Sequence, residues 1–157
     1  PMDTAFKRRW DFEYIGIDKK EDAIEKYKFK VCNKSYKWND LRKAINKGLI
    51  KNKVREDKLL GPFFIDKNIL DSNNDEKFID VFCDKVLMYL YEDAARTKPK
   101  MFSEAYQQIT FYELQEGFRH DGIAIFNTDI TSCVLEVVET EDTNISGTGN
   151  VRPEEDI

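Results

Sequence analysis

The stretch Tyr27-Lys28-Phe29-Lys30-Val31-Cys32-Asn33-Lys34-Ser35-Tyr36-Lys37-Trp38 decides the fold class. Tyr27, Phe29 and Val31 alternate with Lys26, Lys28 and Lys30, the two-residue period of a strand with one wet face. Asn33-Lys34 reads as a turn, and Tyr36 and Trp38 carry the pattern back, so the segment predicts a β-hairpin, apolar on one face and basic on the other. Trp38, Leu41, Ala44 and Ile45 then recur at helical spacing, with Gly48 placed to cap the helix. A hairpin running straight into a helix predicts an α+β chain, and the remaining signals make it mainly helical.

Upstream, Asp18 to Lys26 carries a short helix signal, and Trp10 to Ile17 alternates as a half-buried strand that needs a sheet to join. A helical stub, Pro1 to Arg9, precedes it, so the chain reads as a piece of a larger protein. Downstream, Leu59-Leu60-Gly61-Pro62-Phe63-Phe64-Ile65 is a buried run broken by a Gly-Pro turn. Asp66 to Lys77 reads as a polar loop. Phe78, Ile79, Phe82, Val86, Leu87, Leu90 and Ala94 form the widest apolar stripe of the chain, a helix ended by Lys98-Pro99. Thr110 with Glu113 predicts a capping box opening a helix through Phe118. Ile123 to Phe126 and Cys133 to Val138 read as strands, and the polar residues after Glu139 read as a disordered tail.

The chain has 157 residues, 41% hydrophobic and 35% charged, with a net charge of -5. Mean hydropathy is -0.62, and no apolar run approaches the roughly 20 residues of a membrane span. No secretory leader is visible. Three widely separated cysteines fit neither a metal knuckle nor a disulfide framework, so a reduced, cytoplasmic protein is expected. Charge is polarised. Residues 26–58 hold twelve bases against three acids, whereas residues 136–157 hold seven acids against Arg152 alone.

Phosphate-loop, nucleophile-elbow and zinc-protease motifs are missing from the sequence. His120 beside Asp121 reads as an exposed turn histidine, since nothing marks a nucleophile for it. Cys83 reads as a buried thiol on the helix stripe. Glu56-Asp57-Lys58, with Asp40 upstream, has the letters of a metal-dependent nuclease, but that chemistry needs them on adjoining strands. No metal site is expected.

Asp3-Thr4-Ala5-Phe6-Lys7-Arg8-Arg9-Trp10-Asp11-Phe12 resembles the segment of AAA+ ATPases that links the last core helix to the final strand. Trp38 to Asn46, Glu56 to Ile65 and Lys85 to Asp93 follow in an order similar to the C-terminal part of the McrB-like family. Its members are the nucleotide-hydrolysing subunits of 5-methylcytosine-specific restriction systems. The resemblance covers residues 2 to 127 and implies a helical lid with a small hairpin over residues 19–128. Residues 1–18 would be the end of the α/β core, and residues 129–157 a strand-like segment with an acidic tail.

The resemblance further implies that Arg8 and Arg9 are arginine fingers acting on a neighbouring subunit's nucleotide, a role worth about 10³–10⁵ in rate in phosphoryl transfer. Lys58 becomes a candidate nucleotide sensor. The fragment itself would hold no cofactor and would be inactive. The full-length protein would use Mg-GTP or Mg-ATP in a hexameric ring, with a McrC-like nuclease as partner, DNA bound through other domains and no membrane contact. A second reading, from the residues alone, is a small nucleic-acid-binding module. Its basic region 26–58 would interleave lysines with Tyr27, Phe29, Tyr36 and Trp38 as a stacking surface.

Overall fold

The structure is a computed structural model and describes residues 16–138. Arg8, Arg9, the expected strand as far as Ile15 and the tail from residue 139 lie outside the described residues. Strand β1 (Lys28–Val31) pairs antiparallel with β2 (Lys34–Lys37), Phe29 standing opposite Tyr36 and Lys28 opposite Lys37. The turn is Cys32-Asn33, one residue earlier than expected, with φ of 54° and 64°. Positive φ at both central residues is the requirement of a type I′ two-residue hairpin turn. Asn33 accepts that conformation readily, and the shift spares the longer Lys34 from it. A third strand, β3 (Glu136–Val137), pairs antiparallel with β2, giving the order β1-β2-β3. The strand expected from Cys133 is thus real but shorter.

Helix α1 (Trp38–Lys51) starts where the hairpin ends, and the Trp38 N–H still donates to the Tyr27 carbonyl. Gly48 does not cap α1 but lies inside it. A β-carbon there would stand 2.8 Å from Ile130 Cδ1, so the glycine lets α5 (Thr128–Thr131) lie against the helix. The cap falls at Asn52, followed by Lys53 at φ 65°. Before the hairpin, the expected helix and the last residues of the expected strand are two 3₁₀ turns, Gly16–Asp18 and Glu21–Ile24. The stretch is too short to close a stable α-helix by itself.

The polar stretch after Ile65 contains α2 (Lys67–Asp71), opened by the Asp66 carboxylate accepting from the Asn68 N–H. Local capping, with only Leu70 buried, makes a helix where apolar periodicity is absent. The long rod begins as α3 (Asp75–Val81), capped by Asn74, and widens into π-helical stretches at Phe82–Leu87 and Leu90–Ala94. The sequence accounts for this. Phe78, Phe82, Val86, Leu90 and Ala94 recur every fourth residue and are all buried. In a regular helix a fourth-residue repeat drifts by about 40° per step. Underwinding toward i→i+5 bonds, such as Ala95 N–H to the Leu90 carbonyl, keeps the stripe on one face.

That face builds the core. Phe29 stacks on Phe78 with ring centroids 4.4 Å apart, Trp38 meets Phe78 and Phe82 edge-on, and Phe82 stacks on Phe118 at 4.5 Å. These rings join hairpin, rod and α4 (Phe111–Asp121) into one packed layer. Helix α4 opens with the expected capping box of Thr110 and Glu113. Ile123 to Phe126 is not a strand. Gly122–Ile125 forms a 3₁₀ turn, and only Phe126 makes a β-bridge, with Phe102. Gly122, at φ 63°, ends α4 and turns Ile123 and Ile125 into the core. The result is the expected mainly helical α+β arrangement.

Candidate functional site

Arg42 lies on the inner face of α1, wholly buried. Its Nη1 donates to the Leu60 carbonyl at 2.9 Å, and Nε and Nη2 donate to Asn39 Oδ1 at 3.0 and 2.8 Å. Nη2 also ion-pairs with Asp18 at 2.8 Å and lies 3.5 Å from Glu21. Asn46 holds the same Leu60 peptide from both sides, donating to its carbonyl at 2.9 Å and accepting its N–H at 2.7 Å. Asn39 and then Lys43 hold the Glu21 carboxyl below its ordinary pKa range, against the opposing effect of partial burial. One guanidinium thus binds three separate chain segments: the 3₁₀ turns, α1 and the residues before Gly61-Pro62. The buried charge is tolerated because all three guanidinium nitrogens find acceptors and two carboxylates stand beside Nη2. Charge counting hid this role. The visible signal is that Arg42 occupies the apolar stripe of Trp38, Leu41, Ile45 and Leu49.

The Gly-Pro bend is fixed from other sides too. Trp38 Nε1 donates to the Pro62 carbonyl, the Tyr89 hydroxyl donates to the Lys58 carbonyl, and Phe64 packs on Tyr89. Lys58, the sensor candidate, lies in a 3₁₀ turn (Glu56–Lys58) with its Nζ 2.6 Å from Asp93. Because Glu56, Asp57 and Lys58 share one such turn and Asp40 sits on α1, the strand arrangement of the nuclease motif does not form. Among the described residues no group of three or more His, Cys, Asp or Glu is placed to hold a metal ion.

His120 lies in the last turn of α4, exposed. Its carbonyl accepts from the Cys32 thiol, and burial followed by the charge of Asp121 raises the pKa of that thiol. The Asp121 carboxylate is taken by the Tyr106 hydroxyl, whose pKa is pushed up to about 12 mainly by that bond. Cys83 is fully buried, as expected, with its thiol pushed up to about 11 by burial. None of these groups is poised as a nucleophile, because a raised pKa leaves the thiol protonated.

The basic region 26–58 separates by face. Phe29, Tyr36 and Trp38 point into the core and are not available for base stacking. Several bases are engaged: Lys43 with Glu21, Lys51 with Asp129, Arg55 with Asp57 and Lys58 with Asp93. Lys28, Lys30 and Lys37 share the outer face of the hairpin, all exposed. An open cleft of about 620 Å³ runs along the neighbouring side of α1. Its walls mix Lys37, Lys43 and Lys47 with Asp18, Glu25 and Asp40 around Ala44 and Ile50. No helix among the described residues is long and apolar enough to cross a membrane.

The chain is similar to the YdiS component of the type II restriction enzyme BsuMI of Bacillus subtilis strain 168, with 43% identity over 141 residues. The match takes in 87% of this chain and 38% of that protein, so the chain spans well under half of its relative's length. No family model and no solved structure matches. This finding replaces the resemblance to McrB-like AAA+ ATPases drawn from short motifs. The relative is a component of a type II restriction enzyme, and the identity runs over most of the chain rather than over scattered motifs.

Proposed function

We propose that this chain is part of a restriction-system component, and that its share of the work is to hold and position rather than to break bonds. The observation that carries the reading is the 43% identity over 87% of the chain to a component of a restriction enzyme. The chemistry of the described residues agrees with it. The cysteines Cys32 and Cys83 are held as thiols. Many charged side chains serve as internal ties, as in Arg42 with Asp18, Arg119 with Asp80 and Lys58 with Asp93. What this part offers is a rigid aromatic core displaying a basic hairpin face. A component of this kind works beside other proteins of the same system, which supply cleavage.

The test is restriction in cells. Deleting the gene for this protein from a host that carries the complete system brings the plating of unmodified phage to the level of a non-restricting host. Undiminished restriction after the deletion overturns the proposal.

A further inference from the structure

We infer that the free margin of β3 docks an extended segment of another polypeptide, apolar at alternate positions and flanked by basic residues, which adds to the sheet as a fourth strand. The docking edge does not depend on the restriction reading above. The sheet's two margins differ. β1 is guarded: the Lys30 N–H donates to the Asp75 carboxylate at 3.1 Å, and α3 begins alongside. β3 bonds to β2 on one side, and among the described residues no strand pairs with its other side. Natural edge strands are protected by lysine, proline, a bulge or a covering element. Residues 133–138 hold neither lysine nor proline.

The side chains agree. Leu135 and Val138 are 75% and 71% exposed, the most open large hydrophobic side chains among the described residues. Strand alternation places them on opposite faces, so an incoming strand meets an apolar side chain on each face. On the Tyr36 face, where Glu136 stands opposite the tyrosine, an open cleft of about 580 Å³ borders β3, with Val31, Phe126 and Val134 in its wall. It has room for an apolar side chain, and pockets for alternate residues are how strand addition gains specificity. Charge selects the occupant. Residues 136–142 hold Glu136, Glu139, Glu141 and Asp142 and no base, at an end of the chain with seven acids against Arg152 alone. A basic segment laid along this edge is attracted. A second copy would bring the same acids against their own kind, and like charges opposed across a sheet destabilise it.

The experiment measures, by anisotropy, binding of the 157-residue chain to a fluorescent synthetic peptide of alternating valine and threonine with paired lysines at each end. Hydrogen exchange on the same mixture locates the contact. The lysine-flanked peptide is expected to bind and to slow exchange in residues 134–138 while leaving β1 unchanged. The same core flanked by glutamates binds about tenfold more weakly, and so does a lysine-flanked core with a central proline, which lacks a ladder donor. Glu136→Lys, at an exposed position, keeps the thermal unfolding of the parent and narrows the gap between the lysine and glutamate flanks. Absent binding, equal binding of the proline peptide, or protection confined to other segments overturns the inference. So does a concentration-dependent dimer in sedimentation that Leu135→Asp dissolves, since the edge would then belong to a second copy.

Discussion

Gly48 and Ile130 lie so close that a β-carbon on the glycine would stand 2.8 Å from Cδ1 and 2.9 Å from Cγ1 of the isoleucine. Helix α5 approaches α1 at this point because no side chain intervenes. Gly48→Ala gains about 1 kcal/mol of helix propensity but overpacks a buried contact, at about 1–3 kcal/mol. The second effect wins, and a net loss of up to about 2 kcal/mol is expected in urea unfolding. Adding Ile130→Val recovers part of that loss, and a stabilised single variant would contradict the packing argument.

Arg42 supplies a different kind of constraint. Arg42→Ala leaves the buried Asn39 Oδ1 without its donor, removes the partner of Asp18 and empties the space of a wholly buried side chain, at a cost of about 2–5 kcal/mol. Arg42→Lys does not rescue, because a single ammonium cannot satisfy Asn39, Leu60 and Asp18 from one position. Hydrogen exchange should show residues 16–25 and 58–62 losing protection first. Loss spread evenly over the whole chain would count against Arg42 as the tie between these segments.

Gly61 looks indispensable in a Gly-Pro turn, yet it is not. It does not adopt a left-handed backbone, and a β-carbon there meets only Ile17 Cδ1, at 3.8 Å. Gly61→Ala is therefore expected to leave stability unchanged or raise it by about 0.4–1 kcal/mol, through a less flexible unfolded chain. A clear destabilisation in thermal melts would show that the bend is more tightly enclosed than its geometry indicates.

Cys83 makes stability depend on alkaline pH. Its folded thiol pKa of about 11 lies above the ordinary 9.0, so its contribution is fully present below pH 9 and lost as pH rises toward 11. The loss amounts to about 2–3 kcal/mol across that window. Tyr106, pushed from 10.0 to about 12 by its bond to Asp121, acts in the same direction at higher pH. Denaturant titrations at pH 8 and above pH 10 should show the decline, and Cys83→Ala should flatten its first part. Native Cys83 should also resist alkylating reagents at pH 8 while Cys133, exposed, reacts.

The sequence made the hairpin, α1, the long rod and the capped α4 legible because each rests on periodicity or capping, signals local in the chain. It misplaced features set by partners far along it. Gly48 reads as a cap until Ile130 is seen against it. Ile123 to Phe126 has strand composition but no strand beside it, so Gly122 winds it into a 3₁₀ turn. The π-helical widening was implicit in the fourth-residue repeat from Phe78 to Ala94, which a count of apolar residues on a helical face does not distinguish from a regular stripe. At the site, the lysine face was legible from alternation. The aromatic stacking surface was not real, because the core claims those rings. Arg42 passed as one more base, since burial of a charge is invisible until its acceptors Asn39, Leu60 and Asp18 converge on it. Short motifs suggested one kind of restriction protein, and identity along the chain pointed to another.

The carboxylate of Asp75 on the Lys30 N–H has a bearing on how the sheet could grow. It occupies the free margin of β1 with a side chain, and the start of α3 packs alongside. An added strand would have to displace that carboxylate and the helix end behind it. Among the described residues, the opposite margin, along β3 with Leu135 and Val138 uncovered on either side, is where backbone from elsewhere would meet less resistance. Among the described residues the sheet therefore has a covered side at β1 and an uncovered side at β3, which gives any extension of the three strands a direction.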